Sequence, residues 1–348
     1  MATHLLLDIW SFLLEIITTA LLLGPHLLFP DLKISTMGGK GQFNPATDVP
    51  SLAGKVILVT GGNTGLGKQT IAYLAAHSPT RIYLAARTAS KAASAIEEIQ
   101  RDIPSVTIEH LPLDLTSFSS IASAAETFKA RENRLDILVN NAGIMMTPYS
   151  LTKEGYETQF GTNHVGHALL TKLLMPVLLQ TAEQPGADVR IINVSSIGMM
   201  LAPNGGLIFD QAALEKQYTW RRYGQSKLAN ILFSRELAAR YPQITSVSVH
   251  PGVILTDLYN SFVSNAFLKA GLWFYKQLFP ILPGHFVDTK GGALNQTWAA
   301  VVEKGKVKNG EFYRPVGLVT KGSGYSRDMG LAKKLWEWTE AELGKHGY

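Results

Sequence analysis

Short apolar segments alternate with longer helical segments along most of this chain, and the alternation limits the folds open to it. The first apolar run, Val56–Thr60, is rich in β-branched residues, and helical spacing follows from 65 to 77. The other predicted strands are Arg81–Ala86, 106–113, 135–139, 189–194 and 246–249, and the other predicted helices are Ala89–Asp102, 117–130, 155–180 and 223–241. Strands separated by helices of this length predict a single α/β domain with a doubly wound parallel sheet.

A glycine-rich turn joins the first predicted strand to the first predicted helix. Residues 60–67 read TGGNTGLG. Glycine permits the tight turn there and lets backbone amides approach a pyrophosphate at the helix N-terminus. A strand, a glycine turn and a helix in this order predict a dinucleotide site of the Rossmann type. The candidate cofactor contacts in this turn are Gly61, Asn63, Gly65, Leu66 and Gly67.

The residue after the second predicted strand bears on the choice of cofactor. About twenty residues past the glycines, NAD-binding proteins usually carry Asp or Glu, which accepts hydrogen bonds from the ribose hydroxyls. This chain has Arg87 there, and a planar guanidinium suits a 2′-phosphate. The alternative is an ordinary solvated residue at a helix start. The phosphate interpretation favours NADP(H) over NAD(H).

Further motifs follow in a fixed order along the chain. They are NNAG at 140–143, FGTN at 160–163, VSSIG at 194–198, YGQSK at 223–227 and PGVILT at 251–256. Together with the three residues between Gly61 and Gly65, this order resembles the single-domain members of the short-chain dehydrogenase/reductase family. The resemblance covers roughly residues 52–315. The subgroup it resembles is the retinol-dehydrogenase-like reductases, including fungal metabolic ones.

The resemblance assigns roles to individual residues. It implies that Asn163, Ser196, Tyr223 and Lys227 are catalytic, with register favouring Ser196 over its neighbour Ser195. It implies further cofactor contacts, which are Asp114, Leu115, Asn141, Ala142, Gly143, Tyr223, Lys227, Pro251, Gly252, Ile254 and Thr256. The implied activity is an NADP(H)-dependent interconversion of a carbonyl and an alcohol.

The spacing of Tyr223 and Lys227 suits the proton transfer that this chemistry needs. Residues four apart share one face of a helix. A free tyrosine has a pKa near 10, and a neighbouring ammonium favours the phenolate. Ser196 can hydrogen-bond the substrate oxygen as charge develops on it. Asn163 would hold the water through which Lys227 exchanges protons with solvent.

An apolar, aromatic-rich stretch lies between the 251–256 motif and Gly291, and only two charged residues, Lys269 and Lys276, occur from 261 to 287. In the family this region forms a substrate lid, here at about 257–287. An aromatic lid suits a bulky apolar substrate. The alternative interpretation is packing of the core.

Composition excludes several other classes of function. The net charge is +5, and the basic residues are scattered rather than clustered, so no nucleic-acid site is predicted. The chain has no cysteine, which excludes disulfides, thiol catalysis and Cys-based zinc sites. His164 and His167 lie near Asn163 without enough further ligands for a metal. We interpret them as packed or solvated side chains and predict no metal site.

The N-terminal segment differs from the rest of the chain. Residues 5–29 are mostly apolar but include Asp8 and Glu15. The uncharged part is short for a bilayer span, so a marginal anchor, an interfacial helix and a helix packed on the domain all remain open. Residues 33–53 are rich in glycine and proline and are interpreted as a linker. The predicted division is an apolar N-terminal helix and linker at 1–50 and the catalytic domain at 51–348. Lys33 and Lys40 favour a membrane-associated protein whose catalytic domain is cytosolic.

Two other functions are compatible with the same fold, because a fold does not fix a function. One is a non-catalytic scaffold or sensor that binds the cofactor. The intact set Asn163, Ser196, Tyr223 and Lys227 argues against it. The other is an epimerase or dehydratase, which the glycine spacing disfavours. A homodimer is compatible with each of these functions.

Overall fold

The computed structural model describes residues 43–252 and 288–348. The apolar N-terminal segment, the cofactor candidates Ile254 and Thr256, and the predicted lid at about 257–287 lie outside the described residues.

Within the described residues, eight strands form one sheet in the order β3-β2-β1-β4-β5-β6-β7-β8. They are β1 Val56–Thr60, β2 Arg81–Ala86, β3 Ile108–Pro112, β4 Ile137–Asn140, β5 Arg190–Val194, β6 Thr245–Val249, β7 Phe312–Arg314 and β8 Leu318–Val319. The first seven pair in parallel and β8 is antiparallel to β7. The chain order reverses between β1 and β4, and the carboxyl ends of the strands at such a switch point form a binding crevice.

Helices cover both faces of this sheet. They are α1 Pro45–Asp48, α2 Gly65–Ala75, α3 Ala89–Asp102, α4 Phe118–Arg131, α5 Thr158–Ala182, α6 Gln211–Glu215, α7 Thr219–Arg240, α8 Thr289–Val301 and α9 Met329–Lys345. The apolar side chains of α4, α5, α7 and α9 form one core with the sheet, and those of α2, α3 and α8 form a second core on its other face. The predicted doubly wound α/β fold of the Rossmann type is confirmed.

Helix α5 carries a π-helical turn, Gly161–Val165, between two α-helical parts. It is long and apolar enough to cross a membrane by length and composition, and it is the one such helix among the residues that the structure describes. Most of its apolar window is buried inside the domain. It is therefore the central core helix of this face, and its π-helical turn carries Asn163.

The segment interpreted as a linker is partly structured. The Asn44 side chain accepts a hydrogen bond from the Ala46 amide at 3.0 Å and caps α1. Val49 and Leu52, just beyond this helix, are buried in the core that α2, α3 and α8 share. Glycine and proline content predicted a linker here, but the cap and the two apolar contacts fix the chain to the domain from residue 43 onward.

Candidate active site

Helix α7 brings Tyr223 and Lys227 together. Both are buried, and the Nζ atom of Lys227 lies 5.8 Å from the centre of the Tyr223 ring. The Lys227 ammonium donates to the backbone carbonyl of Val194 at 3.0 Å, at the end of β5. Burial lowers the pKa of Lys227 to about 8. The lysine therefore holds its proton less tightly than a solvated lysine does.

Ser196 follows β5 and lies close to the same ring. Its Oγ accepts a hydrogen bond from the Gly198 amide at 3.0 Å. A Cβ added to Gly198 would lie 2.9 Å from Cε1 of Tyr223 and 3.3 Å from Oγ of Ser196. The absence of a side chain at Gly198 is what leaves room for the tyrosine ring beside the serine.

Ser195 has a different position. It is buried, and its hydroxyl donates to the backbone carbonyl of Lys227 at 2.7 Å. That bond ties the end of β5 to α7. Of the two adjacent serines, Ser196 is thus the one beside the Tyr223 ring.

Asn163 uses its side chain to hold the loop after β4. Its Oδ1 accepts from the Ile144 amide, and its Nδ2 donates to the Ile144 carbonyl and to Oγ of Ser226, each at 2.9 Å. A Cβ on Gly143 would lie 3.3 Å from both Oδ1 of Asn163 and Nζ of Lys227. The amide oxygen and the ammonium thus lie on the same side of Gly143, where the sequence predicts a relay water.

The glycine turn after β1 has the backbone that a pyrophosphate site requires. Gly61 and Gly65 have positive φ, +66° and +54°, which favours glycine. A Cβ on Gly67 would lie 2.3 Å from the Gly61 carbonyl oxygen, so a side chain cannot fit there. Thr64, the N-cap of α2, makes no side-chain capping bond. The candidates Asn63 and Leu66 lie in the same turn, so the residues present fit a dinucleotide.

The loop after β4 is tied to this turn. The amides of Asn141 and Ala142 both donate to Oγ1 of Thr60, at 2.9 and 3.0 Å. The Asn141 side chain donates to the Thr60 carbonyl at 2.8 Å and accepts from Gln296 of α8 at 3.1 Å. Its amide group therefore supports the glycine turn from within the protein.

The remaining cofactor candidates lie around the carboxyl ends of the strands. Arg87 is exposed directly after β2, as the 2′-phosphate interpretation requires. Oδ1 of Asp114 accepts from the amide and hydroxyl of Thr116 at 2.9 and 2.7 Å, and Leu115 is buried with its carbonyl close to Gly166. Pro251 is buried, and Gly252 has a φ of +100°.

The two histidines that follow Asn163 in α5 are packed inside the domain. His164 and His167 are both buried, and burial lowers their pKa values to about 3 and about 4. In the part of the chain that the structure describes, no group of three or more acidic or histidine side chains could hold a metal ion. The sequence alone did not reveal the contact of His167 with Thr60 or that of Gln296 with Asn141, because each contact joins segments distant in the chain.

An apolar cluster covers one side of the tyrosine. Met145 and Met146, from the loop after β4, are buried against Tyr223, and Trp220 packs against the three of them. Met146 has a φ of +58°, which a residue with a side chain rarely adopts. Met145, Met146 and Trp220 therefore form an apolar wall beside Tyr223, in addition to the nearby polar groups of Ser196 and Lys227.

The chain is similar to known proteins over most of its length. The family model for short chain dehydrogenases matches residues 55–266. Short-chain dehydrogenase/reductase drtF of Aspergillus calidoustus is 40% identical over 310 residues, covering 85% of this chain and 96% of that protein. Human retinol dehydrogenase 12 is 39% identical over 323 residues, covering 92% of this chain and 94% of that protein. The NADPH-bound carbonyl reductase from chicken fatty liver has the same fold, with a TM-score of 0.57 and 23% identity. The match covers 81% of this chain and 99% of that one. The chain is a member of the short-chain dehydrogenase/reductase family of oxidoreductases.

Proposed function

We propose that the protein interconverts a carbonyl and an alcohol on a bulky apolar small molecule, with NADP(H) as cofactor and Tyr223 as the proton donor and acceptor. The observation that carries this proposal is the position of Lys227 and Ser196 close to the ring of Tyr223, at the carboxyl ends of the strands. The same end of the sheet carries the glycine turn suited to a dinucleotide.

The proton-transfer step follows from the positions of these side chains. When bound, NADPH supplies the hydride that reduces the carbonyl carbon. The alkoxide oxygen so formed takes the proton of the Tyr223 hydroxyl, and Ser196 donates a hydrogen bond to the same oxygen. The Lys227 ammonium favours the tyrosine phenolate that is left. Since burial brings the lysine pKa to about 8, Lys227 can also pass on a proton near neutral pH.

The preference for NADP(H) rests on Arg87. Its guanidinium is exposed directly after β2, where an NAD-specific protein has an acceptor for the ribose hydroxyls. The carbonyl reductase from chicken fatty liver holds NADPH. At 23% identity that protein shares only the fold with this chain. The proposed preference for NADP(H) over NAD(H) is therefore based on Arg87.

The proposed substrate class follows from the wall beside Tyr223. Met145, Met146 and Trp220 place thioether and indole groups against Tyr223, without a charged group among them. Apolar walls with a few polar groups are typical of sites for apolar small molecules. The human relative is named for retinol, which is an apolar alcohol.

The experiment that tests this function is turnover of Tyr223→Phe on a panel of apolar aldehydes and ketones with NADPH. The variant keeps the ring and its packing but loses the proton donor. We expect the rate to fall by about 10²- to 10⁴-fold, while NADPH binding changes less than about twofold. Tyr218→Phe is the matched control, because Tyr218 precedes α7 and is exposed. Activity of Tyr223→Phe within tenfold of the unaltered protein would overturn the assignment.

A further inference from the structure

His167 connects two parts of the site that are distant in sequence. It lies one turn after Asn163 in α5 and is buried. Its Nδ1 lies 3.0 Å from the backbone carbonyl oxygen of Asn163, and its Nε2 lies 2.9 Å from Oγ1 of Thr60 at the end of β1. One imidazole ring thus spans from the π-helical turn of α5 to the strand that leads into the glycine turn.

The direction of these hydrogen bonds is fixed by the acceptors. A carbonyl oxygen only accepts, so Nδ1 of His167 carries the hydrogen and donates to Asn163. Nε2 then has a lone pair and accepts from the Thr60 hydroxyl. The other acceptor near that hydroxyl, the Val139 carbonyl, is more distant at 3.4 Å. A neutral ring is required, and burial lowers the pKa of His167 to about 4.

The chain of bonds continues into the loop after β4. Oγ1 of Thr60 accepts from the amides of Asn141 and Ala142, and the side chain of Asn163 holds Ile144 at its amide and its carbonyl. The loop is therefore anchored at both ends, and His167 joins the two anchors. Gly143, between the anchors, faces the Lys227 ammonium.

We propose that His167 is a positioning residue that sets residues 141–144 against both the cofactor-binding turn and the Asn163–Lys227 pair. Its two hydrogen bonds go to Thr60 and to the backbone of Asn163, not to Tyr223 or Ser196. It acts by fixing Thr60 on one side and Asn163 on the other. The expected effect on turnover rests on the proposed function, whereas the effect on the loop does not.

His164 provides a matched control on the same helix. It is also fully buried, and its Nε2 lies 3.1 Å from Oγ1 of Thr339 in α9. A histidine that only fills the core would respond to substitution as His164 does. The comparison separates a positioning role from general packing.

Two substitutions of His167 each remove one of its two hydrogen bonds and keep the other. In His167→Asn the side-chain amide can still donate to the Asn163 carbonyl but is too short to reach Thr60. In His167→Gln the longer amide can accept from Thr60 but loses the donor close to Asn163. Three quantities would be measured on both variants and on His164→Asn: hydrogen exchange of the amides of 141–144 without ligand, the NADPH dissociation constant, and kcat with KM on an apolar carbonyl.

We expect the two bonds to give different results. His167→Asn should speed exchange at Asn141 and Ala142 and weaken NADPH binding, each by about tenfold, with a smaller change in kcat; tenfold corresponds to one lost bond of about 1.4 kcal/mol. His167→Gln should lower kcat by about tenfold and leave NADPH binding within about twofold. His164→Asn should lower thermal stability without either change.

Changes in the two His167 variants that match those in His164→Asn would overturn the positioning role. Faster loop exchange in the His167 variants would support it even if the unaltered protein turned over no carbonyl, in which case only the proposed function would fail. Should both His167 variants fail to fold, ¹⁵N chemical shifts of the histidine rings in the unaltered protein decide. A neutral ring protonated at Nδ1 supports the proposal, and a ring protonated at Nε2 contradicts it.

Discussion

The Nζ atom of Lys227 donates to the backbone carbonyl oxygen of Val194 over 3.0 Å, in a buried position. The same carbonyl accepts from the Asn230 side chain at 3.1 Å. Burial lowers the pKa of the lysine to about 8. Without cofactor, the buried charge of Lys227 therefore lowers the free energy of unfolding at neutral pH.

Lys227→Met should accordingly stabilise the protein measured without cofactor at pH 7, by up to about 3 kcal/mol, because methionine fills the space without a charge. Asn230 still satisfies the Val194 carbonyl. Between the folded pKa near 8 and the unfolded value near 10.5, the unfolded chain binds more protons than the folded one. The stability of the unaltered protein should therefore rise over that range, and its difference from the variant should shrink.

Urea unfolding at several pH values measures this difference. Lys333→Met is the control, because Lys333 is exposed on α9 and pairs with Glu337 of the same helix. It should change stability by less than about 1 kcal/mol. A Lys227→Met protein that is less stable than the unaltered protein at pH 7 would contradict the desolvation argument.

Arg87→Asp should move the cofactor preference from NADP(H) toward NAD(H). The aspartate would repel the 2′-phosphate and would offer an acceptor to the ribose hydroxyls. We expect the ratio of kcat/KM for the two cofactors to change by at least about tenfold, as for the loss of a charge-assisted contact. Arg101→Asp, in the last turn of α3, is the control and should leave the ratio unaltered. If the ratio also stays the same in Arg87→Asp, the phosphate is bound elsewhere.

Tyr223 and Lys227 illustrate which features of the structure could be predicted from the sequence. Their four-residue spacing predicted one helix face, and strands β1 and β2 have the predicted bounds because apolar runs mark buried parallel strands. Strands β7 and β8, with three and two residues, are too short for a periodic pattern and depend on pairing with β6 and with each other. The bond from His167 to Thr60 joins residues 107 apart in sequence. Only the folded chain brings such partners together.

The wall beside Tyr223 includes a strained residue. Met146 has a φ of +58°, and its amide donates to Oε1 of Gln159 at 2.9 Å. Gln159 in turn donates to the carbonyl and hydroxyl of Thr219, both at 3.2 Å. This buried network holds the thioether against Tyr223 in a conformation that costs about 1–2 kcal/mol. We interpret the strain as the cost of placing that side chain in the substrate wall.

Met146→Gly should therefore destabilise the protein less than Met145→Gly, by about 1–2 kcal/mol, because glycine adopts positive φ without strain. The two methionines are equally well buried, so the comparison isolates the backbone. Met146→Gly should also lower kcat/KM for bulky apolar carbonyls about tenfold more than for small ones, since part of the apolar wall is removed. Chemical unfolding and a substrate series measure the two effects. Equal loss of stability in both variants would contradict the strain.

The apolar N-terminal segment lies outside the described residues. We propose that residues 1–30 hold the protein on a membrane with the catalytic domain in the cytosol. The apolar run favours attachment, and Lys33 and Lys40 beyond it favour this orientation. Attachment would give the site access to apolar substrate dissolved in the bilayer.

The structure indicates where to separate the two parts. Asn44 caps α1, and Val49 and Leu52 are buried in the core, so the cut belongs before Phe43. Deletion of 1–42 should release a soluble, folded enzyme. Deletion of 1–52 should cost about 1.5–3 kcal/mol more for each of the two buried side chains it removes. Membrane fractionation of the full-length and shortened proteins measures attachment. Full-length protein found wholly in the soluble fraction would contradict the anchor, and aggregation after deletion of 1–42 would instead favour a segment packed on the domain.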